Sequence, residues 1–214
     1  MYFGCMKILS HRGYWKIASE KNTEVAFRRS FELGYGTETD FRDANGKLVI
    51  CHDLPTGGEM PLEQFLEIFK PFKNLPLAIN IKSDGLQDIL KKALNEYAIE
   101  NYFLFDMSIP DTVKSLAKGL TCFARESEYE VPTPTLLQGV KGIWYDHFSK
   151  SYLNLERIHS YLGQNKTVCL VSPELHGRDH KPFWSELIQN NMHKQENLWI
   201  CTDIPEDLQL AIKE

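Results

Sequence analysis

Near the start of the chain, two histidines bracket an acidic pair. His11-Arg12-Gly13 is followed by Asn22-Thr23, Glu38-Thr39-Asp40, an Asn45-Gly46 turn and His52-Asp53. Two carboxylates at i and i+2 offer oxygen ligands to a hard divalent cation, Mg2+ or Ca2+. Two histidines on either side of a bound phosphate can exchange a proton as general base and general acid. Arg12, together with Lys82 further on, can balance charge on phosphate oxygens. The chemistry suggested is metal-assisted acid/base catalysis on a charged substrate.

These residues need a scaffold that gathers them. Lys7 to Ser10 reads as a strand delivering His11, followed by a helix with Val25, Ala26, Phe27, Phe31 and Leu33 on its apolar side, stopped by Gly34 and Gly36. Thr37 to Phe41 reads as a second strand, and its period of 2 aims Glu38 and Asp40 to one face. Leu48 to Cys51 follows after too few residues for a parallel crossover. It is therefore expected as an antiparallel hairpin arm that folds His52 back toward the acidic pair.

Beyond the arm, strand patterns at Leu77–Lys82, Tyr102–Phe105, Leu120–Ala124, Gly142–Tyr145, Val168–Val171 and Leu198–Cys201 alternate with helical ones. Val131-Pro132-Thr133-Pro134 predicts a short irregular link instead of a helix. With the arm set aside, the pattern predicts an α/β fold, a compact (β/α)8 barrel in one domain over 1–214. An open doubly wound sheet is disfavoured, because no Gly-rich fingerprint follows the first strand and polar residues recur at the strand ends. In a barrel those ends share one mouth, which would collect His11, Arg12, Glu38, Asp40, His52, Asn80, Lys82, Asp106, Asp146 and Glu174.

Composition narrows the partners. A formal net charge of −5 gives no global field for nucleic acid or an anionic membrane. No apolar run is long enough to insert in a bilayer, and MYFGCMKILS lacks the pattern of a signal peptide. The 5 cysteines show no C-x-x-C spacing and mostly sit in apolar runs, as reduced thiols do. A cytoplasmic protein is expected, any anionic small-molecule substrate must be drawn in locally by a metal or a few cations, and nothing in the sequence fixes an oligomeric state.

Ser10-His11-Arg12-Gly13, Asn22-Thr23-x-x-Ala26-Phe27, Glu38-x-Asp40, Asn45-Gly46-x-x-Val49-x-Cys51-His52-Asp53 and Thr202-Asp203-x-Pro205 together resemble the glycerophosphodiester phosphodiesterase family. That family belongs to the phosphatidylinositol-phospholipase-C-like barrels. The resemblance implies a metal-dependent hydrolase releasing sn-glycerol 3-phosphate and an alcohol, with acid/base roles for His11 and His52 and metal ligation by Glu38 and Asp40. Two positions depart from the pattern: Lys21 replaces a glutamate before Asn-Thr, and Asn80 replaces a metal-binding glutamate two residues before Lys82. An asparagine carbonyl can still ligate, with one negative charge fewer and weaker affinity.

Other residues carry two readings. Asn22 is either a helix cap or a site residue, and Asp203 reads as a cap and turn residue. Tyr14 and Trp15 wall a leaving-group pocket or pack over the mouth. The segment Glu174 to His180 is a solvated loop or a recognition element, with Arg178 reaching a second anionic group and Glu174 replacing the missing ligand. Two rival functions remain: a phosphodiesterase for another alditol or sugar diester, and a catalytically impaired phosphoester-binding barrel.

Overall fold

The computed structural model describes residues 6–150 and 153–213. Strands run in chain order as β1 (Lys7–His11), β2 (Gly36–Ala44), β3 (Lys47–Ile50), β4 (Met60–Pro61), β5 (Leu77–Ile81), β6 (Tyr102–Phe105), β7 (Phe123–Glu126), β8 (Gly142–Tyr145), β9 (Thr167–Val171) and β10 (Leu198–Thr202). Between them lie helices α1 (Glu24–Glu32), α2 (Leu62–Phe69), α3 (Gln87–Glu96), α4 (Ile109–Ala117), α5 (Pro134–Gly139), α6 (Leu155–Gly163), α7 (Lys181–Gln189) and α8 (Pro205–Lys213).

One unit spans His11–Cys122. Its centre is β2, which pairs in parallel with β5, and β5 in turn with β6. All five residues of β5 are buried, as expected of a parallel strand covered on both faces. The expected hairpin is present: β3 runs antiparallel to β2 from Phe41↔Ile50 to Ala44↔Lys47. A further two-residue strand, β4, which sequence periodicity did not signal, pairs with β3. Behind β2, an aromatic seam seats two helices. Phe27 and Phe31 of α1 meet Phe65 and Phe69 of α2 at 4.8 and 5.1 Å between ring centroids, and Phe65 meets Phe41 at 5.7 Å. Val25 and Leu33, expected on the apolar side of α1, are instead exposed. The buried stripe is Ala26, Phe27, Ser30 and Phe31, and both residues fall beside it.

The other unit contains the chain up to Ser10 and from Phe123 onward. Here β1, β10, β9, β8 and β7 pair in parallel in that order. Ile158, Leu187 and Leu208, fully buried, anchor α6, α7 and α8. The proline-containing link forms α5 after all. Pro134 takes the first helical position, where its missing N–H costs nothing, and the Thr133 hydroxyl caps the helix by accepting from Leu136 N at 3.2 Å.

Cys122, Cys169 and Cys201 are buried and Cys51 half-buried, all as free thiols; Cys5, like the rest of Met1–Cys5, lies outside the described residues. Among the described residues no helix is long and apolar enough to cross a membrane.

Candidate active site

The site begins where β1 ends. Arg12 and Gly13 both adopt left-handed backbone, with φ of 58° and 78°, turning the chain sharply after His11. Gly13 has no alternative here, because a Cβ at this position would lie 2.8 Å from Ala26. Backbone bonds fix the turn: Arg12 N donates to Glu38 O at 2.9 Å, Asn22 N to Arg12 O at 2.9 Å, and Gly13 N to Thr37 Oγ1 at 3.0 Å. The His-Arg-Gly triplet is therefore a rigid corner clamped onto β2.

On the face of β2 that this corner meets, Glu38 and Asp40 are 2% and 0% exposed. Burying two carboxylates is costly unless charge and hydrogen bonds compensate. Asp40 has that compensation. Arg12 Nε lies 3.0 Å from its Oδ2, Asn22 Nδ2 donates to the same oxygen at 2.8 Å, and Lys82 Nζ lies 3.2 Å from Oδ1. Glu38 is less well served. His11 Nε2 lies 3.9 Å from its Oε2, and Arg12 N approaches that oxygen at 3.3 Å. Burial, with the neighbouring charge of Asp40 behind it, pushes the Glu38 carboxyl up to about 8, against the opposing pull of Arg12, Lys82 and a hydrogen bond from Asn80. Without a cation beside it, Glu38 thus keeps its proton through neutral pH while Asp40 balances two cations.

Asn80 stands in register with Asp40 across the β2–β5 pair. Its side chain is buried, and its Oδ1 has no hydrogen-bond donor. An orphaned buried carbonyl beside a protonated carboxyl is what a hard cation would satisfy. The donors suit Mg2+ or Ca2+ in kind and fall short in charge, because Asp40 is already opposed by Arg12 and Lys82. Among the described residues no three His, Cys, Asp or Glu side chains cluster as a metal site.

His52 arrives on the hairpin arm, pinned to the site by Cys51 N donating to Asp40 O at 3.0 Å. Its Nδ1 lies 2.9 Å from Asp53 Oδ1, a contact that orients the ring. It lines an open cleft of about 830 Å3 with Arg12, Lys21, Asn22, Asp53 and Glu59.

Contacts therefore join His11, Arg12, Glu38, Asp40, Asn80 and Lys82, with His52 bound to the same strand through its neighbour. Asn22 joins them as well: it caps no helix, but donates to Asp40 and accepts from Thr39 Oγ1 at 2.9 Å. Trp15 is half-buried and serves as a platform for Lys21, whose Nζ sits 4.4 Å from the ring centroid.

Glu174 and Arg178 belong to the other unit and have their own partners there. Glu174 accepts from the Ser172 and Thr202 hydroxyls and from Asp203 N at 3.1 Å. Arg178 donates to the His147 carbonyl. The segment expected as a solvated loop or recognition element opens as a 3-10 turn over Pro173–His176, and His176 Nε2 lies 2.7 Å from Asp146 Oδ1.

This chain has the α/β fold of the glycerophosphodiester phosphodiesterase and phosphatidylinositol-specific phospholipase C barrels, the (β/α)8 type. It is similar over 98% of both chains to a glycerophosphodiester phosphodiesterase from Parabacteroides distasonis, with a TM-score of 0.70 and 20% identity. A phosphodiesterase from Oleispira antarctica, solved with its product sn-glycerol-3-phosphate, matches over 98% of both chains with a TM-score of 0.69 and 14% identity. A Ca2+-dependent phosphatidylinositol-specific phospholipase C from Streptomyces antibioticus matches over 97% of both chains with a TM-score of 0.60 and 10% identity. No family profile and no curated protein matches the sequence.

Proposed function

We propose that this protein is a phosphodiester hydrolase cleaving a glycerophosphodiester to glycerol 3-phosphate and an alcohol. The observation that carries the reading is the convergence of Arg12 and Lys82 on Asp40 at 3.0 and 3.2 Å, with His11 beside Glu38, on a fold shared with phosphodiesterases. Two cations sharing one carboxylate keep a net positive charge that a phosphate can pair while both stay beside Asp40.

In this reading Arg12 and Lys82 hold the phosphate oxygens. His11, mostly buried beside Glu38, removes a proton from the attacking water, whose oxygen bonds to phosphorus as the bond to the alcohol oxygen breaks. His52 lines the open cleft through which the alcohol departs, and its Nε2 returns a proton to the leaving oxygen while Asp53 steadies the ring. Glu38, Asp40 and Asn80 would hold a divalent ion, which would supply Lewis-acid polarisation of the phosphoryl group.

The experiment is release of glycerol 3-phosphate from glycerophosphocholine, glycerophosphoethanolamine and glycerophosphoglycerol with Mg2+, with Ca2+ and with chelator. Metal-dependent release is expected, and absence of release under every condition overturns the reading. One observation favours a second reading: the charge shortfall left by Asn80 and by the commitment of Asp40 suits a barrel that binds phosphoesters without turnover. Tight glycerol 3-phosphate binding with no hydrolysis would select it.

A further inference from the structure

The cleft beside His52 carries charge that the hydrolytic chemistry does not use. Three carboxylates line it, and each is already engaged. Glu24 accepts from Arg28 Nε at 2.7 Å and from Gln64 Nε2 at 3.4 Å; Asp53 holds His52; and Glu59 accepts from the N–H groups of Thr56 and Gly57 at 2.6 and 3.0 Å. Of the two lining cations with permanent charge, Arg12 is bound to Asp40. The other is Lys21. Its ammonium rests on the Trp15 ring and has no carboxylate partner among the described residues. A ring face fixes an ammonium in place without neutralising it, so the charge stays available to a ligand in the cleft. Lys21 also immediately precedes Asn22, which touches Asp40, so the free cation stands one residue from the phosphate-balancing cluster.

We infer that Lys21, steadied by Trp15, is a subsite for an anionic leaving group, one bearing a phosphate monoester or a carboxylate beyond the scissile diester. This rests on the phosphodiesterase reading above and specifies its substrate class. A cationic choline or ethanolamine would be repelled at this position, whereas a second anion would be paired.

The test compares kcat/KM for four diesters: glycerophosphoglycerol bearing a terminal phosphate, glycerophosphoglycerate, glycerophosphoglycerol with its uncharged leaving group, and glycerophosphocholine. The phosphate and glycerate arms separate the two anion sources. An advantage of about tenfold is expected for at least one anionic substrate over glycerophosphocholine. Lys21→Glu should remove or reverse that preference while changing the neutral substrate less than threefold. Lys21→Arg should keep the preference, and Trp15→Ala should weaken it about threefold. Preference of the wild type for glycerophosphocholine, or an equal loss on all four substrates in Lys21→Glu, overturns the inference. If the wild type cleaves none of them, the phosphodiesterase reading fails separately. The four dissociation constants measured by calorimetry then decide: the same anionic order supports the subsite, and a flat order removes it.

Discussion

Asn80 and Asp40 face each other in register on adjacent parallel strands, yet Asp40 has the charges of Arg12 and Lys82 within 3.2 Å and a hydrogen bond from Asn22, while the Asn80 carbonyl receives no donor. The position is an oxygen waiting for a positive partner. Asn80→Asp or Asn80→Glu adds the missing charge there, and Ca2+ affinity measured by calorimetry should rise at least about tenfold. Unchanged affinity in both variants would show that the cation does not touch residue 80.

Glu38 ties stability to pH. Its folded value of about 8 lies above its ordinary 4.5, so its stabilising contribution is complete below pH 4.5 and is lost as the pH climbs through 8. Over that interval the native protein holds a proton that the unfolded chain has released. In metal-free buffer, Glu38→Gln should therefore gain on the wild type as pH rises from 5 to 8, by up to about 1.4 kcal/mol per pH unit. Denaturant titrations at several pH values measure it, and parallel pH profiles would contradict the shift.

If His52 protonates the leaving alkoxide, a substrate that leaves without help should not need it. His52→Ala is expected to lower kcat on an alkyl diester by roughly 100-fold or more, and by far less on a nitrophenyl diester. His11→Ala should slow both equally. Asp53→Asn should cost about tenfold on the alkyl substrate alone. Equal losses on both substrates in His52→Ala would reassign the acid.

The corner at Gly13 admits a stability test. Gly13→Ala imposes left-handed strain of about 1–2 kcal/mol and a contact at 2.8 Å with Ala26. A total loss of about 3 kcal/mol by urea unfolding is expected, along with loosening of Arg12 from Asp40.

What the sequence disclosed was local. Alternation along Thr37 to Phe41 is enough to aim Glu38 and Asp40 together, and the short Asn45-Gly46 link is enough to demand a hairpin. Asn22 was ambiguous, because an asparagine ahead of a helix can bond the backbone below it or reach outward, and only the fold brings Asp40, 18 residues away, within 2.8 Å. The proline-containing link departs from its expected irregular form for a related reason: proline breaks a helix from within but begins one readily, and which applies to Pro134 depends on where the helix starts. The partners of Glu174, as far off as Thr202 and Asp203, belong to tertiary structure that no local pattern encodes.

Phe41 pairs with Ile81 in the parallel half of β2 and with Ile50 in the antiparallel half, so one fully buried residue joins the β2–β5 pair to the arm. Glu38 and Asp40 lie upstream of it, and the chain beyond it, from Ala44 to Pro61, brings in His52 and builds much of the cleft wall. The stretch after Asp53 is therefore an exchangeable cassette. A lineage can rewrite it to admit new alcohols while His52 and the register of Glu38 and Asp40 stay untouched.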